Sequence, residues 1–252
     1  MSESKLDKAA EIIKNSENIV IFSGAGISTE SGIPDFRSEN GIWTRYDPSV
    51  HANYFVFLEN PEPFWTMHNE LSDELDEAEP NKAHKAIAEL EKMGKIKSVI
   101  TQNIDMLHQK AGSGKYEDVP IYELHGSYAK IQCIKCGAEY KLDEINTRVN
   151  PYPVCEKCDG YIKPKVILFG ESLPLGVFDS AIKSVKEADC LIIVGSSLQI
   201  SPANSVPLTA KQHGVKVIFI NKEHTIMDDL ADVFLMGKAG EIFTKIMQKL
   251  KN

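Results

Sequence analysis

Short apolar runs rich in β-branched residues recur at 19–22, 98–100, 166–169, 191–194 and 217–220, and several are separated by stretches that read as helix. That alternation predicts a parallel α/β sheet. Runs such as Leu191-Ile192-Ile193-Val194 are apolar on both faces, as strands covered by helices on either side require. The spacing Leu6, Ala9/Ala10, Ile13 predicts an amphipathic helix near the start. A second helix is expected between Asn81, a residue suited to an N-cap, and Gly94, a C-terminal stop, with Ala83, Ala86, Ile87 and Leu90 on one face. A third closes the chain, where Ile242, Phe243, Ile246, Met247 and Leu250 repeat at helical spacing.

Two segments break the alternation. Residues 37–79 hold both tryptophans, and residues 126–165 hold four of the five cysteines. They are expected to form a smaller lobe beside a large one built from 1–36, 80–125 and 166–252. Ligands in open α/β sheets sit outside the carboxyl ends of the strands, so the loops after these strands are where chemistry is expected.

Composition narrows the function classes. The 252 residues carry 36 Asp and Glu against 28 Lys and Arg, a formal charge of −8. With no long basic run, this balance argues against a general grip on nucleic-acid phosphates. No apolar run approaches the ~18 residues of a membrane span, and the charged start does not read as a signal peptide. A cytoplasmic protein is the expectation.

The sharpest spacing is Cys133-x2-Cys136, 18 intervening residues, then Cys155-x2-Cys158. Two such knuckles place four thiolates on one metal, and zinc is the ion expected; disulfides fit a cytosolic chain less well. An all-sulfur site leaves no position open to activate water, so the zinc is expected to be structural. Cys190 opens an apolar strand and reads as core.

Residues 19–23 run into Gly24-Ala25-Gly26, whose glycines allow a tight turn and a close approach of backbone N–H groups to a pyrophosphate at a helix N-terminus. Thr29 stands where the third glycine of the dinucleotide fingerprint belongs, so an ordinary turn is the competing reading. Further along, Asp35-Phe36-Arg37 offers an aromatic cover and a guanidinium for phosphate. Thr101-Gln102-Asn103-Ile104-Asp105 follows another strand, with a helix cap as its plainer role. His125-Gly126 precedes the cysteine segment, and a lone histidine is more often structural than catalytic. Gly195-Ser196-Ser197 and Asn221 each end a predicted strand and offer amides and hydroxyls to a cofactor.

In this order, GAGIS, GIPDFR, TQNID, HG, the two cysteine pairs, FGE-x-LP, GSS and the strand-terminal Asn resemble the sirtuins, the NAD-dependent protein-lysine deacylases. The resemblance covers nearly the whole chain. It implies a Rossmann-like lobe, a smaller lobe made of a zinc ribbon and a helical insertion, and substrates held between them. It further implies that Gly24, Ala25, Gly26, Thr29, Asp35, Phe36 and Arg37 line the NAD loop. Gln102, Asn103, Ile104 and Asp105 would surround the ribose and carboxamide, while Gly195, Ser196, Ser197, Asn221 and Ala239 would serve the adenosine half. His125 would be the general base, with Asn103 and Asp105 beside it, and the zinc ligands would be Cys133, Cys136, Cys155 and Cys158. Phe36, Ile167, Phe169 and Ile200 would line the path of the lysine stem. Extended backbone at Gly170-Glu171 and Leu198-Gln199 would pair with an acetyl-lysine peptide.

The implied reaction transfers an acetyl group to ADP-ribose, releasing nicotinamide and 2′-O-acetyl-ADP-ribose. Sirtuins that remove acidic acyl groups carry a Tyr and an Arg three residues on, and the corresponding positions here are His68 and Leu71, so uncharged acyl groups are expected. Three rival readings compete with this one: ADP-ribosyl transfer to protein, a hydride-transferring dehydrogenase, and a non-catalytic zinc-ribbon module. The dehydrogenase fingerprint lacks its third glycine, and the acidic charge disfavours the module as a DNA binder.

Overall fold

The computed structural model describes residues 3–115, 119–141, 144–149 and 151–251. In chain order the elements are α1 (Glu3–Asn15), β1 (Ile19–Ser23), α2 (Pro48–His51), α3 (Tyr54–Glu59), α4 (Glu62–Glu77), α5 (Lys82–Lys92), β2 (Ile96–Thr101), α6 (Leu107–Ala111) and β3 (Ile121–Glu123). There follow β4 (Gly126–Cys133), β5 (Glu139–Lys141), β6 (Ile162–Val166), α7 (Val177–Lys186), β7 (Cys190–Val194), α8 (Val206–Gln212), β8 (Lys216–Asn221), β9 (Val233–Met236) and α9 (Ala239–Lys251). No helix among the described residues is long and apolar enough to cross a membrane.

Six strands form a parallel sheet in the order β3-β2-β1-β7-β8-β9. The pleat divides the apolar runs between two cores. Ile19, Ile21, Ile192, Val194, Ile218 and Ile220 pack with Leu6, Ile13, Ile87, Leu90, Phe243 and Ile246 of α1, α5 and α9. Their neighbours Val20, Phe22, Leu191, Ile193, Val217 and Phe219 face Ala181, Val185, Val206 and Ala210 of α7 and α8. Burial on both faces is why these strands read as continuous apolar runs. The chain runs outward from β1 to β3, then crosses to β7 on the other side of β1. That reversal opens a crevice at the carboxyl ends of β1 and β7.

Local signals acted where expected. Asn81 Oδ1 accepts from the amides of Ala83 at 2.8 Å and His84 at 3.4 Å, and Gly94, with φ of 71°, ends the turn after α5. Strands β3 and β9 escaped the pattern because they are short and only partly buried.

The run at 166–169 is corrected. It is not a strand of the parallel sheet: β6 ends at Val166 and belongs to a separate antiparallel sheet ordered β5-β4-β6. Beyond it, Phe169 makes only an isolated bridge with Asn53, and Gly170 turns the chain with φ of 88°. The run is apolar because Val166 and Leu168 enter a third core. That core joins Ile42, Phe57, Phe64 and Trp65 from the first inserted segment to Tyr128, Ile131 and Ile162 from the second. Trp65 Nε1 donates to the Ile162 carbonyl at 3.3 Å, so the two insertions pack as one smaller lobe.

Candidate active site

The loops after β1 and β7 interlock. The Gly24 amide donates to the Val194 carbonyl at 3.0 Å and the Gly26 amide to the Gly195 carbonyl at 2.8 Å. Gly195 has φ of 59°, and a Cβ there would lie 2.2 Å from the Ile27 nitrogen. The glycines therefore serve loop-on-loop contact as well as any ligand. No α-helix follows them; a 3-10 segment, Ala25–Ser31, takes its place. The absence of the third fingerprint glycine accords with that departure from a dinucleotide-binding βα turn.

Behind these loops lies a buried polar cluster. Ser28 Oγ donates to Asp105 Oδ2 at 2.6 Å and accepts from Asn103 Nδ2 at 3.1 Å, while the Leu107 amide donates to Asp105 Oδ1 at 2.9 Å. Burial raises the Asp105 pKa, opposed by the bonds from Ser28, Leu107 and Asn103. Asp105 thus supports the start of α6 and also orients the side chains facing the crevice. The Asn103 amide donates to Thr101 Oγ1 at 3.0 Å; Ser23 Oγ donates to the same oxygen at 2.9 Å and lies 2.8 Å from His108 Nε2.

His125 stands between β3 and β4. Its Nδ1 lies 3.0 Å from the Gln102 carbonyl, an acceptor only, so Nδ1 carries the proton and Nε2 holds the lone pair. Burial lowers its pKa; the Gln102 carbonyl opposes the shift and the Arg37 charge adds to it. The following glycine is sterically required: a Cβ on Gly126, with φ of 73°, would lie 1.9 Å from the Lys165 carbonyl oxygen. Gln102 also donates from Nε2 to Ser196 Oγ at 2.9 Å, linking the β2 and β7 loops. Asn221 accepts from the Ser196 amide at 3.1 Å and donates to its carbonyl at 2.9 Å, so its side-chain amide sets the shape of that turn.

A single cleft of about 1040 Å³ is lined by every sequence-predicted cofactor and substrate residue except Leu198. Leu198 is the correction. It has φ of 55°, is 1 % exposed and packs into the core against α8, so it offers neither an extended backbone nor a cleft-facing side chain. Gly170 is likewise turned, with the Glu171 amide donating to the Leu168 carbonyl at 3.0 Å. Phe36 packs on Trp43 with ring centroids 5.0 Å apart, and Trp43 approaches Phe169 at 6.3 Å, giving the cleft an aromatic wall. Sequence reasoning missed Trp43, Ser23, Ser28, Thr101 and His108. Ser23, Ser28 and Thr101 stood inside recognised runs, whereas His108 carried no signal at all.

The four cysteines also converge. Their Sγ atoms all lie within 4.8 Å of one another, with Cys133 to Cys158 and Cys136 to Cys155 each at 3.6 Å. Tetrahedral zinc with bonds of about 2.3 Å spaces its sulfurs about 3.8 Å apart, so the set fits that ion and leaves no open position.

The Sir2 family model matches residues 24–202. This chain belongs to the Sir2 family. It is 48% identical to NAD-dependent protein deacylase 2 of Archaeoglobus fulgidus over 99% of this chain and 97% of the relative. It is 45% identical to an NAD-dependent protein deacetylase of Caldivirga maquilingensis, over 97% and 93% of the two chains. Among solved structures, a Sir2 enzyme superposes with a TM-score of 0.91 at 46% identity, covering 99% of both chains. A Sir2 complex with a p53 peptide and NAD+ superposes with a TM-score of 0.88 at 34% identity, over 97% of this sirtuin and 98% of that chain.

Proposed function

We infer that this sirtuin is an NAD-dependent protein-lysine deacetylase that moves the acetyl group of acetyl-lysine onto ADP-ribose and releases nicotinamide. The observation that carries the reading is the His125 tautomer. A lone pair fixed on Nε2 shares one cleft with the Ser28-Asp105-Asn103 cluster. Bound NAD+ supplies a ribose carbon activated by its nicotinamide leaving group. His125 accepts a proton from a ribose hydroxyl at Nε2, while the Gln102 carbonyl holds the ring in place. Asn103 and Asp105, with Gln102 and Ile104, orient the ribose and carboxamide. The close-packed backbone at Gly24, Ala25 and Gly26, with the Thr29 side chain beside it, receives the dinucleotide, and Arg37 neutralises phosphate from the rim with Asp35 shaping its loop. Gly195, Ser196, Ser197, Asn221 and Ala239 form the adenosine side. Phe36, Ile167, Phe169 and Ile200 keep water from the lysine stem; Gly170, Glu171 and Gln199 meet the peptide.

The acyl preference follows from the cleft wall. His68 and Leu71 both line it; burial holds the His68 pKa at about 4, so the ring is neutral. Arg148, whose charge reaches His68, is paired with Asp73 and donates to Ser72 Oγ at 3.1 Å. An acyl carboxylate would lack a counter-ion, so uncharged acyl groups are preferred.

Mass spectrometry of an acetyl-lysine peptide incubated with and without NAD+ tests the reading. Deacetylated peptide, nicotinamide and acetyl-ADP-ribose should appear together only with NAD+, and a succinylated peptide should turn over at least about tenfold more slowly. NAD+ loss with mass added to the protein acceptor would instead establish ADP-ribosyl transfer.

A further inference from the structure

We propose that Lys163, a residue outside the cleft, is a positioning residue that fixes the substrate-facing loop 167–171 through a buried ion pair with Glu171; this rests on the deacetylase reading above. Lys163 lies on β6, its side chain 6 % exposed, with Nζ 3.1 Å from Glu171 Oε2, 2.6 Å from the Val166 carbonyl and 3.4 Å from the Pro164 carbonyl. Its three protons therefore have three acceptors. The same Glu171 oxygen accepts from the Leu168 amide at 3.0 Å, so one carboxylate oxygen receives both the buried ammonium and a loop amide.

The loop is anchored at two further points. The Ile167 amide donates to the His125 carbonyl at 2.9 Å. Phe169 donates to the Ala52 carbonyl at 2.8 Å and accepts from the Tyr54 amide at 2.9 Å. These bonds set the loop's first half between the base and the first insertion. Past Gly170, with φ of 88°, the Glu171 amide closes the turn on the Leu168 carbonyl at 3.0 Å, and the Glu171 carboxylate ties that turn back to Lys163 of β6. A buried ammonium without its carboxylate is costly, so the pair confines the turn to one geometry. Ile167 and Phe169 line the cleft, whereas Lys163 does not, so its influence reaches substrate only through the loop.

Lys163→Met tests the assignment. It replaces the stem with one of similar shape and leaves Glu171, with a 21 % exposed side chain, able to find water. The Michaelis constant for an acetyl-lysine peptide should rise about tenfold, with kcat and the NAD+ constant each moving less than about threefold. Lys163→Arg, which keeps the charge, should recover most of the loss. Should Lys163→Met fail to fold, Lys163→Gln keeps a donor towards Glu171 and removes the charge, and the same selective rise in the peptide constant is expected. An unmoved peptide constant in a folded variant, or an equal loss toward peptide and NAD+, would overturn the proposal while leaving the deacetylase reading intact. Wild-type protein that leaves the acetyl-peptide unchanged in the presence of NAD+ would overturn both.

Discussion

A histidine in water titrates near 6.5, and burial moves His125 below that value. Its folded-state pKa is lowered, so the neutral base persists as the pH falls past 6.5 and is lost only at the lower, folded value. The acid limb of kcat/KM, measured from pH 8 to 5, should therefore lie below pH 6.5 if His125 is the base; a limb above 6.5 would assign the titration to another group. His125→Ala should lower kcat by roughly 10²–10⁴-fold with a native circular dichroism spectrum, since only the proton acceptor is removed. The residue and its neighbouring run were legible in sequence, but the tautomer was not. It depends on the Gln102 carbonyl, 23 residues upstream, which packing brings to 3.0 Å.

At the scale of elements, the β1 and β7 loops act as one device. Gly195→Ala would force a Cβ to 2.2 Å from the Ile27 nitrogen at a left-handed φ of 59°, so both loops must move. Gly214, with φ of 73° and nothing within 4 Å of a Cβ, carries the backbone strain alone. Gly214→Ala should cost about 1–2 kcal/mol and leave NAD+ affinity unchanged. Gly195→Ala should cost more in thermal unfolding and also weaken NAD+ binding at least about tenfold by calorimetry. Equal effects of the two substitutions would show that strain, not contact between the loops, dominates.

At the scale of the molecule, three buried histidines make stability depend on pH. Burial lowers the pKa of His84 to about 2, of His108 to about 4 and of His68 to about 4. Below about pH 6.5 the unfolded chain binds protons that the native chain refuses, so stability is present above that pH and falls as the pH drops towards 4. Each histidine contributes a slope of up to about 1.4 kcal/mol per pH unit. Urea midpoints at pH 7.5, 6.0 and 5.0 should fall progressively; a flat series would contradict this origin. The smaller lobe has its own core around Trp65 and the cysteines. Cys133→Ala should lose bound zinc, read by metal analysis, and lower the melting temperature.

What the sequence determined by itself was whatever local chemistry encodes: the two-sided apolar strands, the caps at Asn81 and Gly94, the cysteine spacing and the polar runs at strand ends. Each is set by residues close together in the chain, so pattern is enough to reveal it. Only the tertiary structure decided that Val166 serves a second sheet while residues 167–169 leave it, that Leu198 turns into the core, and that Ser28 lines the cleft with Ser23 and His108 in the polar cluster behind it. A run's sheet, a side chain's face and a partner some 80 residues away are settled by packing between distant segments, which no local pattern carries.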